Sequence, residues 1–582
     1  MKKKYIFLLS ILTISVSAEL FKCKLPEYQV KPGAKACSDR PFKLKEVPKE
    51  FSGLTGIQTK MGDKQGSALK LLLNQPARIY GVFNWPRLLE ASEWSKLPKG
   101  WSLYWKSAPN IFKNFTCDIY FLDLPAGQHE LKFNSSWICL GIKPASQLTA
   151  QEQNAAVFYP GKPYGLYKFG EHITGRLNNR CDWKVVDSDM TTIKTGKSDY
   201  IDVQVTKPGL YFIQLNDVKV HIPVYLKPEK QPKVTSVKNR IPICLDIRQI
   251  AEYWGDTNFT MPVLYSAAVT MTQNGANLAY ANLNNNELAL LADFGISVIM
   301  DVRREIDPAI PRIPNLFGWF DSKIVNRKDI SKSIERYNEL KKTAGINNHL
   351  FMYKPMSFNA SWVGCGDLKD PLTLWRILKP PVRTLRCTPF TVPFDAQTSY
   401  SMNGADLAST FAITERCEKT PWFMMFSAYG DKDVKDRISN IGRRIPDTAE
   451  IKALCHLALA NGAKAIFVYR AAQDNSLVNP VTGRPLSKSI AGLKDIADFL
   501  KKSSNILTKT SETPVKVYCA NTNLAAIPRR SGKKIYIYVV SKNSKNTESG
   551  KIYIWPKKRS KKSTTIEVSL PPGSAKLLPV GR

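Results

Sequence analysis

Residues 443–469 restrict the possible folds more than any other stretch of this chain. Arg443-Arg444-Ile445-Pro446-Asp447-Thr448-Ala449-Glu450 runs on to Ala458-Leu459-Ala460-Asn461-Gly462-Ala463-Lys464-Ala465-Ile466-Phe467-Val468-Tyr469. Glu450 lies three residues after Asp447, which is capping-box spacing and opens a helix. Gly462 supplies the stop. Ala465 to Tyr469 is a short apolar strand. An amphipathic helix turning through glycine into such a strand reads as the last turn of a wound α/β barrel.

The same alternation begins at Pro242. Apolar strands are predicted at 243–247, 276–280, 296–301, 316–320, 349–353, 382–386, 422–426 and 465–469, with helices at 286–294, 329–342 and 486–503 among them. Eight strands with intervening helices over residues 238–507 predict a (β/α)8 TIM barrel. Before it the period is two. Runs such as Ala77-Arg78-Ile79-Tyr80-Gly81-Val82-Phe83 predict a β-sandwich over 51–145, and Pro163 to Lys227 predicts an immunoglobulin-like β domain over 160–228. Residues 19–50 are rich in Lys and Pro and read as an exposed basic lead-in. The tail, 513–582, predicts a C-terminal antiparallel β-sandwich. Within it Lys557-Lys558-Arg559-Ser560-Lys561-Lys562 is either a solvated hairpin tip or a contact for a polyanion. Trp85, Trp94, Trp101 and Trp105 are loop anchors on the first sandwich or a stacking surface for sugar rings.

The chain opens Lys2-Lys3-Lys4, continues with an apolar run from Tyr5 to Val16, and reaches Ser17-Ala18. This predicts a secretory signal peptide over 1–18. The run is shorter than the ~20 residues that cross a bilayer, and no later segment is predicted to span. The chain carries 84 Lys and Arg against 49 Asp and Glu, a net +35. Such charge favours polyanions. In an exported protein it favours an acidic or sulfated polysaccharide, or an anionic cell surface, over nucleic acid. A solvated basic surface with no partner is the alternative. The 11 cysteines permit disulfides in an oxidising compartment, with Cys23–Cys37, Cys117–Cys139 and Cys365–Cys387 as local pairs. No Cys-x-x-Cys occurs, and five scattered histidines give no zinc pattern. No cofactor is expected.

Three runs then carry a resemblance: Gly318-Trp319-Phe320; Pro421-Trp422-Phe423-Met424-Met425-Phe426-Ser427-Ala428-Tyr429; and Pro446-Asp447-Thr448-Ala449-Glu450 with Ala460-Asn461-Gly462-Ala463-Lys464. In this order they resemble the fourth strand, seventh strand and final turn of clan A glycoside hydrolase barrels. In that family accessory sandwiches precede the barrel and a small β domain follows it. The resemblance spans the barrel, just under half the chain. It implies catalysis at the C-terminal strand ends by two carboxyls, about 5–5.5 Å apart for retention or about 6.5–9.5 Å for inversion.

The chain departs from the family where chemistry matters most. An ungapped match sets Lys323-Ile324 where the acids after the fourth strand would stand, and Ser427 or Tyr429 in place of the nucleophile glutamate. Asp321 is the carboxylate nearest the first site, and Asp301 and Glu305 follow the third strand. These three are the candidate catalytic residues. Asp246, Asp395, Asp431 and Asp474 also stand near strand ends, and each acid has a second reading as a loop cap or an arginine partner. Arg303, Trp319, Lys323, Arg386, Tyr429 and Tyr469 are the candidate substrate-binding residues, with Arg304, Arg470, Trp254 and Trp362 near the same rim. Arginine grips carboxylates and sulfates bidentately, and aromatic rings stack on sugars. Three readings remain open: a hydrolase with displaced acids, a non-catalytic glycan-binding or scaffold protein on a hydrolase-derived barrel, and an envelope-associated structural protein held by its charge.

Overall fold

The computed structural model describes residues 20–38, 43–59, 69–83, 102–112, 115–131, 137–149, 158–215, 221–234, 240–254, 257–301, 315–321, 335, 338–339, 342, 350–353, 382–387, 391–393, 422–428, 441–443, 445–473, 475–511, 513, 515–555 and 563–580. The chain divides into two compact units. One comprises Met1–Val157, Leu177–Trp183 and Gln214–His221; the other comprises Phe158–Arg176, Lys184–Ile213 and Ile222–Arg582. The predicted signal peptide lies outside the described residues, as does the basic turn after Trp555. Among the described residues no helix is long and apolar enough to cross a membrane.

The first unit holds two sheets. One has the order Phe21–Cys23, Leu69–Leu73, Gly127–Leu131. The other runs Glu27–Gln29, Thr55–Ile57, Ile138–Pro144, Ala77–Phe83, Phe115–Leu124, Ser102–Phe112. Leu69, Leu71 and Leu73 are buried while Lys70 is exposed, so the period-two pattern sets one face on a core with Ile79, Trp137 and Ile142. The lead-in is structured, with buried apolar residues set between exposed lysines. Phe21 pairs with Leu73, Glu27–Gln29 pairs with Thr55–Ile57, and Val30, Ala36 and Leu44 are buried. Its lysines alternate with apolar residues, so the segment keeps its charges in water while adding strands to both sheets.

Neither predicted N-terminal disulfide forms, because Cys23 and Cys139 are both thiols. Cys117 and Cys139 lie on the two strands that flank Ala77–Phe83. Two strand spacings, ~9.5 Å, exceed the ~7 Å over which a disulfide reaches between Cα atoms. Cys23 packs with the core around Phe21, whereas Cys37 belongs to the separate core around Tyr80. Cys365 lies outside the described residues.

A further sheet, most of whose residues belong to the second unit, has the order Phe158–Pro160, Ile173–Asp187, Gly209–Leu215, His221–Leu226, Leu166–Tyr167, with Thr192–Val203 also paired to Ile173–Asp187. An immunoglobulin-like domain would have two sheets. Here one sheet is continuous, because the 15-residue strand Ile173–Asp187 partners three others. Its Leu166–Tyr167 edge is parallel to His221–Leu226.

Eight strands follow: β1 (Ile243–Asp246), β2 (Leu278–Tyr280), β3 (Ser297–Asp301), β4 (Leu316–Asp321), β5 (Leu350–Tyr353), β6 (Val382–Cys387), β7 (Trp422–Ser427) and β8 (Ala465–Tyr469). Every neighbouring pair is parallel and β8 pairs back onto β1, so the sheet closes into a barrel. Helices α1 (Arg248–Trp254) and α2 (Thr257–Gln273) follow β1, and α3 (Asn285–Asp293) follows β2. Helix α4 (Thr448–Ala460) precedes β8 and α5 (Ala491–Leu507) follows it. Most of the connections from β3 to β7 lie outside the described residues. Thr391–Pro393 and Ile441–Arg443 add a short antiparallel pair.

Alternate strand positions serve two cores. Cys244, Leu278, Tyr280, Ile299, Phe320, Phe467 and Tyr469 pack together inside the barrel. Leu245, Ala279, Val298, Met300, Trp319 and Val468 pack with residues of the helices. The lumen is filled: Tyr280 stands 5.0 Å from Phe320 and 5.3 Å from Phe467, centroid to centroid. Caps fix the helix starts. Asn284 with Glu287 and Asp447 with Glu450 both form complete capping boxes. The closing helix is shifted from its predicted span of 486–503. Ser487 caps a 3-10 turn at Lys488–Ile490, and α5 then runs on to Leu507. At Gly483 the loop after β8 has φ +66°, and a Cβ would stand 2.5 Å from the Val263 carbonyl of α2, so this close approach requires glycine.

The tail forms β9 (Thr510–Ser511), β10 (Lys516–Cys519), β11 (Leu524–Ser531), β12 (Lys534–Ser541), β13 (Glu548–Trp555), β14 (Thr564–Leu570) and β15 (Ala575–Val580). Sheets β9-β11-β12-β15 and β10-β13-β14 enclose Ile537, Val539, Ile552, Ile554, Val568 and Leu570. His456 of α4 meets Tyr538 of β12 at 2.8 Å, Nδ1 to hydroxyl, which docks this sandwich on the barrel.

Candidate functional site

All eight barrel strands end on residues able to do chemistry or hold a ligand: Asp246, Tyr280, Asp301, Asp321, Tyr353, Cys387, Ser427 and Tyr469. In a parallel barrel these ends share one rim. Their registers agree, with Asp246 opposite Tyr280, Asp301 opposite Phe320, Asp321 opposite Tyr353 and Ser427 opposite Tyr469.

Arg248 is the centre of the described part of this rim. It opens α1 two residues past the end of β1. Its Nε lies 2.9 Å from Asp246 Oδ1, its Nη2 2.9 Å from Asp246 Oδ2, and its Nη1 3.0 Å from Asp301 Oδ2. All three residues are buried, at 7% exposure for Arg248, 2% for Asp246 and 9% for Asp301. Asp246 also accepts the backbone N–H of Arg470 at 3.0 Å and of Arg248 at 3.3 Å. Arg470 reaches it from a left-handed conformation, φ 54°. Asn282 Oδ1 accepts the Asp301 N–H at 3.1 Å. The guanidinium carbon sits 4.2 Å above the Tyr280 ring and 5.7 Å from that of Tyr469.

Electrostatics follow from this packing. Burial works against the charge of Arg248, but Asp246 outweighs it and holds the guanidinium pKa well above its ordinary value. Burial likewise raises Tyr280 well above the usual phenol range, so its hydroxyl stays protonated. That hydroxyl is buried and makes no hydrogen bond. Asp246 receives four donors, two on each oxygen, which is the full capacity of a carboxylate. It therefore works as an anchor. Asp301 has one oxygen committed to Arg248, which suits charge stabilisation better than proton delivery.

The predicted site residues fall into three groups. Asp301 and Tyr469 come together around Arg248. Trp319 does not join them. It is 2% exposed and belongs to the helix-facing core, because it lies one residue out of phase with Phe320, which faces the lumen. This corrects its assignment as a sugar-stacking ring. Trp254 is likewise buried, with its ring stacked 6.3 Å from that of Phe212. For Asp321 and Arg386 the structure supplies strand position: Asp321 ends β4, and Arg386 stands opposite Met425. Glu305, Arg303, Lys323 and Tyr429 lie outside the described residues. Among the described residues no group of three or more His, Cys, Asp or Glu is placed to hold a metal ion.

Sequence reasoning missed Arg248, Tyr280 and Asn282. The signal available was Asp246-Ile247-Arg248, an opposite-charge pair closing an apolar strand.

No family model matches the chain, and no curated protein matches it. Among solved structures, the chain is similar to a GH138 enzyme targeting pectin rhamnogalacturonan II, at 19% identity and TM-score 0.20 over 23% of this chain and 16% of that one. The chain thus spans about a sixth of that enzyme's length. It is similar to an FMN-binding β-glucuronidase from Facaelibacterium prausnitzii L2-6 at 10% identity and TM-score 0.30, over 88% of this chain and 91% of that one. It is also similar to an α-amylase from Geobacillus thermoleovorans at 10% identity and TM-score 0.36, over 60% of this chain and 99% of that one. These neighbours are glycoside hydrolases.

Proposed function

We propose that this chain is a secreted carbohydrate-active protein of glycoside hydrolase type that acts on or binds an anionic polysaccharide at the mouth of its barrel. In this reading the barrel is a (β/α)8 unit, 238–507, preceded by β domains at 51–145 and 160–228 and followed by a sandwich at 513–582. Residues 1–18 direct export. The observation that carries the reading is the closed ring of eight parallel strands whose C-terminal ends present Asp246, Tyr280, Asp301 and Tyr469 on one rim, with Asp321 at the end of the fourth strand. Barrels of this topology work from that face. Asp321 is the proton donor in this reading, Asp301 the charge stabiliser, and Glu305 an alternative acid. Acidic or sulfated sugars suit a chain of net charge +35.

A second reading is a binder without turnover on the same barrel. It is favoured by the Arg248 clamp, which occupies Asp246 fully and Asp301 in part. The absence of the family's two glutamates favours it too. One experiment separates the two: binding and reducing-sugar release against polygalacturonate and sulfated glycans, with wild type and Asp321→Asn. Release by wild type that Asp321→Asn abolishes, with binding kept, supports hydrolysis. Equal binding and no release from either protein supports the binder. No binding to any acidic glycan overturns both.

A further inference from the structure

We propose that the outer face of sheet β10-β13-β14 is a second glycan-binding surface, an aromatic platform for one extended chain of an acidic polysaccharide. Register and alternation define it. Tyr518 stands opposite Tyr553, and Lys516 opposite Trp555. Lys551 stands opposite Glu567, Tyr553 opposite Thr565, and Ser549 opposite Ser569. The residues between them, Val517, Cys519, Ile552, Ile554, Val568 and Leu570, point into the sandwich core. Tyr518, Tyr553 and Trp555 therefore share the face turned away from it.

Tyr518 is 57% exposed, among the most exposed large apolar residues described. Its ring lies 6.3 Å from that of Tyr553 with 31° between their planes. Trp555 follows two residues along the same strand, about 7 Å further. Three adjacent aromatics on an otherwise polar face expose apolar area that core packing does not require. Flat rings with a hydroxyl or indole N–H suit a sugar, which presents a C–H face and polar edges.

Charge selects among sugars. Lys516 flanks the row at one end, and Lys551 lies beside Tyr553 on the same strand. Glu567 shares Lys551 at 3.2 Å, both ends being exposed, so the face keeps a net positive charge. The Ser549 and Ser569 hydroxyls, 2.9 Å apart, border it with further hydrogen-bonding groups. A uronate chain stacked on the rings would set its carboxylates beside the two ammonium groups. The ligand class rests on the reading given above for the barrel; the platform's geometry does not.

The test uses the full-length chain and polygalacturonate, by titration calorimetry and affinity electrophoresis. Tyr518→Ala and Tyr553→Ala are expected to weaken binding about tenfold each, equivalent to ~1.4 kcal/mol. Tyr518→Phe, which keeps the ring, should bind within about twofold of wild type. Lys516→Gln should weaken polygalacturonate more than neutral xylan. The substitutions at exposed Tyr518 and Lys516 should leave the thermal midpoint in place, which separates lost binding from lost folding. Polygalacturonate binding that Arg386→Gln reduces and the tyrosine variants do not overturns the platform and leaves the barrel reading standing. The reverse pattern supports the platform and removes the barrel as the binding site. Duplex DNA that outcompetes polygalacturonate, with competition lost in Tyr518→Ala, also overturns the proposal, in favour of a nucleic-acid surface.

Discussion

Arg248 reconciles two buried acids that would otherwise repel each other. Removing it leaves Asp246 and Asp301 without their shared cation in a low-dielectric site. Breaking one partner from such a network typically costs about 3–5 kcal/mol. Arg248→Met should therefore lower the thermal midpoint sharply, and Arg248→Lys should recover only part of the loss, because an ammonium cannot grip Asp246 with a fork. Differential scanning calorimetry of the three proteins decides this. Tyr280 predicts the opposite direction. Its buried hydroxyl has no hydrogen-bond partner, and an unmet polar group costs about 1–3 kcal/mol. Tyr280→Phe should then be neutral or more stable in chemical denaturation, and a clear destabilisation would contradict the packing described. At this scale residue types were readable and partners were not. Asp246 was visible as a strand-end acid, yet its bond network reaches Arg470, 224 residues away. Trp319 was read on the wrong face because adjacent strand residues point oppositely, and a three-residue motif does not say which one points inward.

The element that joins barrel to tail is α4. Its capping box is local, and Asp447→Ala should cost about 1 kcal/mol by loss of the Glu450 N–H acceptor at 2.7 Å. Its far side carries His456, buried against Tyr538 and Phe499. Burial, with Lys452 adding to it, depresses the His456 pKa to about 3 from an ordinary 6.5. The unfolded chain thus binds a proton in a range where the folded protein does not. Stability from this site is complete above pH 6.5 and is lost as pH falls from 6.5 toward 3, on the order of 1.4 kcal/mol per pH unit. Comparison of wild type with His456→Gln by urea unfolding at several pH values tests the sign. The difference in stability between them should shrink on acidification and stay level from pH 7 to 8. Elements were the most legible level in the sequence. The eight strands fall where period and glycine stops predict them, to within one or two residues, since caps and apolar runs are local signals. The continuous sheet at 158–226 was not legible, because pairing of one strand with three others is a long-range event.

The whole molecule is strongly cationic, at +35 over 582 residues. If acidic glycans are its ligands, much of the attraction is long-ranged and screened, with a Debye length of about 10 Å at 0.1 M salt and about 3 Å at 1 M. Polygalacturonate affinity should therefore fall at least about tenfold between 0.05 and 0.5 M NaCl, while affinity for a neutral glycan changes little. Equal salt response for the two would assign the binding to stacking alone. By itself the sequence determined where the eight barrel strands start and stop, to within one or two residues, and that the surplus charge is positive. These are properties of neighbouring residues and of composition. Only the tertiary structure decided that Arg248 clamps Asp246 to Asp301, that Trp319 turns toward the helices, that Cys23 and Cys139 stay thiols, and that Tyr518, Tyr553 and Trp555 share one open face. The reason is common to all four: closure of a barrel and registry of a sheet bring together residues tens to hundreds of positions apart, and no local pattern encodes which face each one takes.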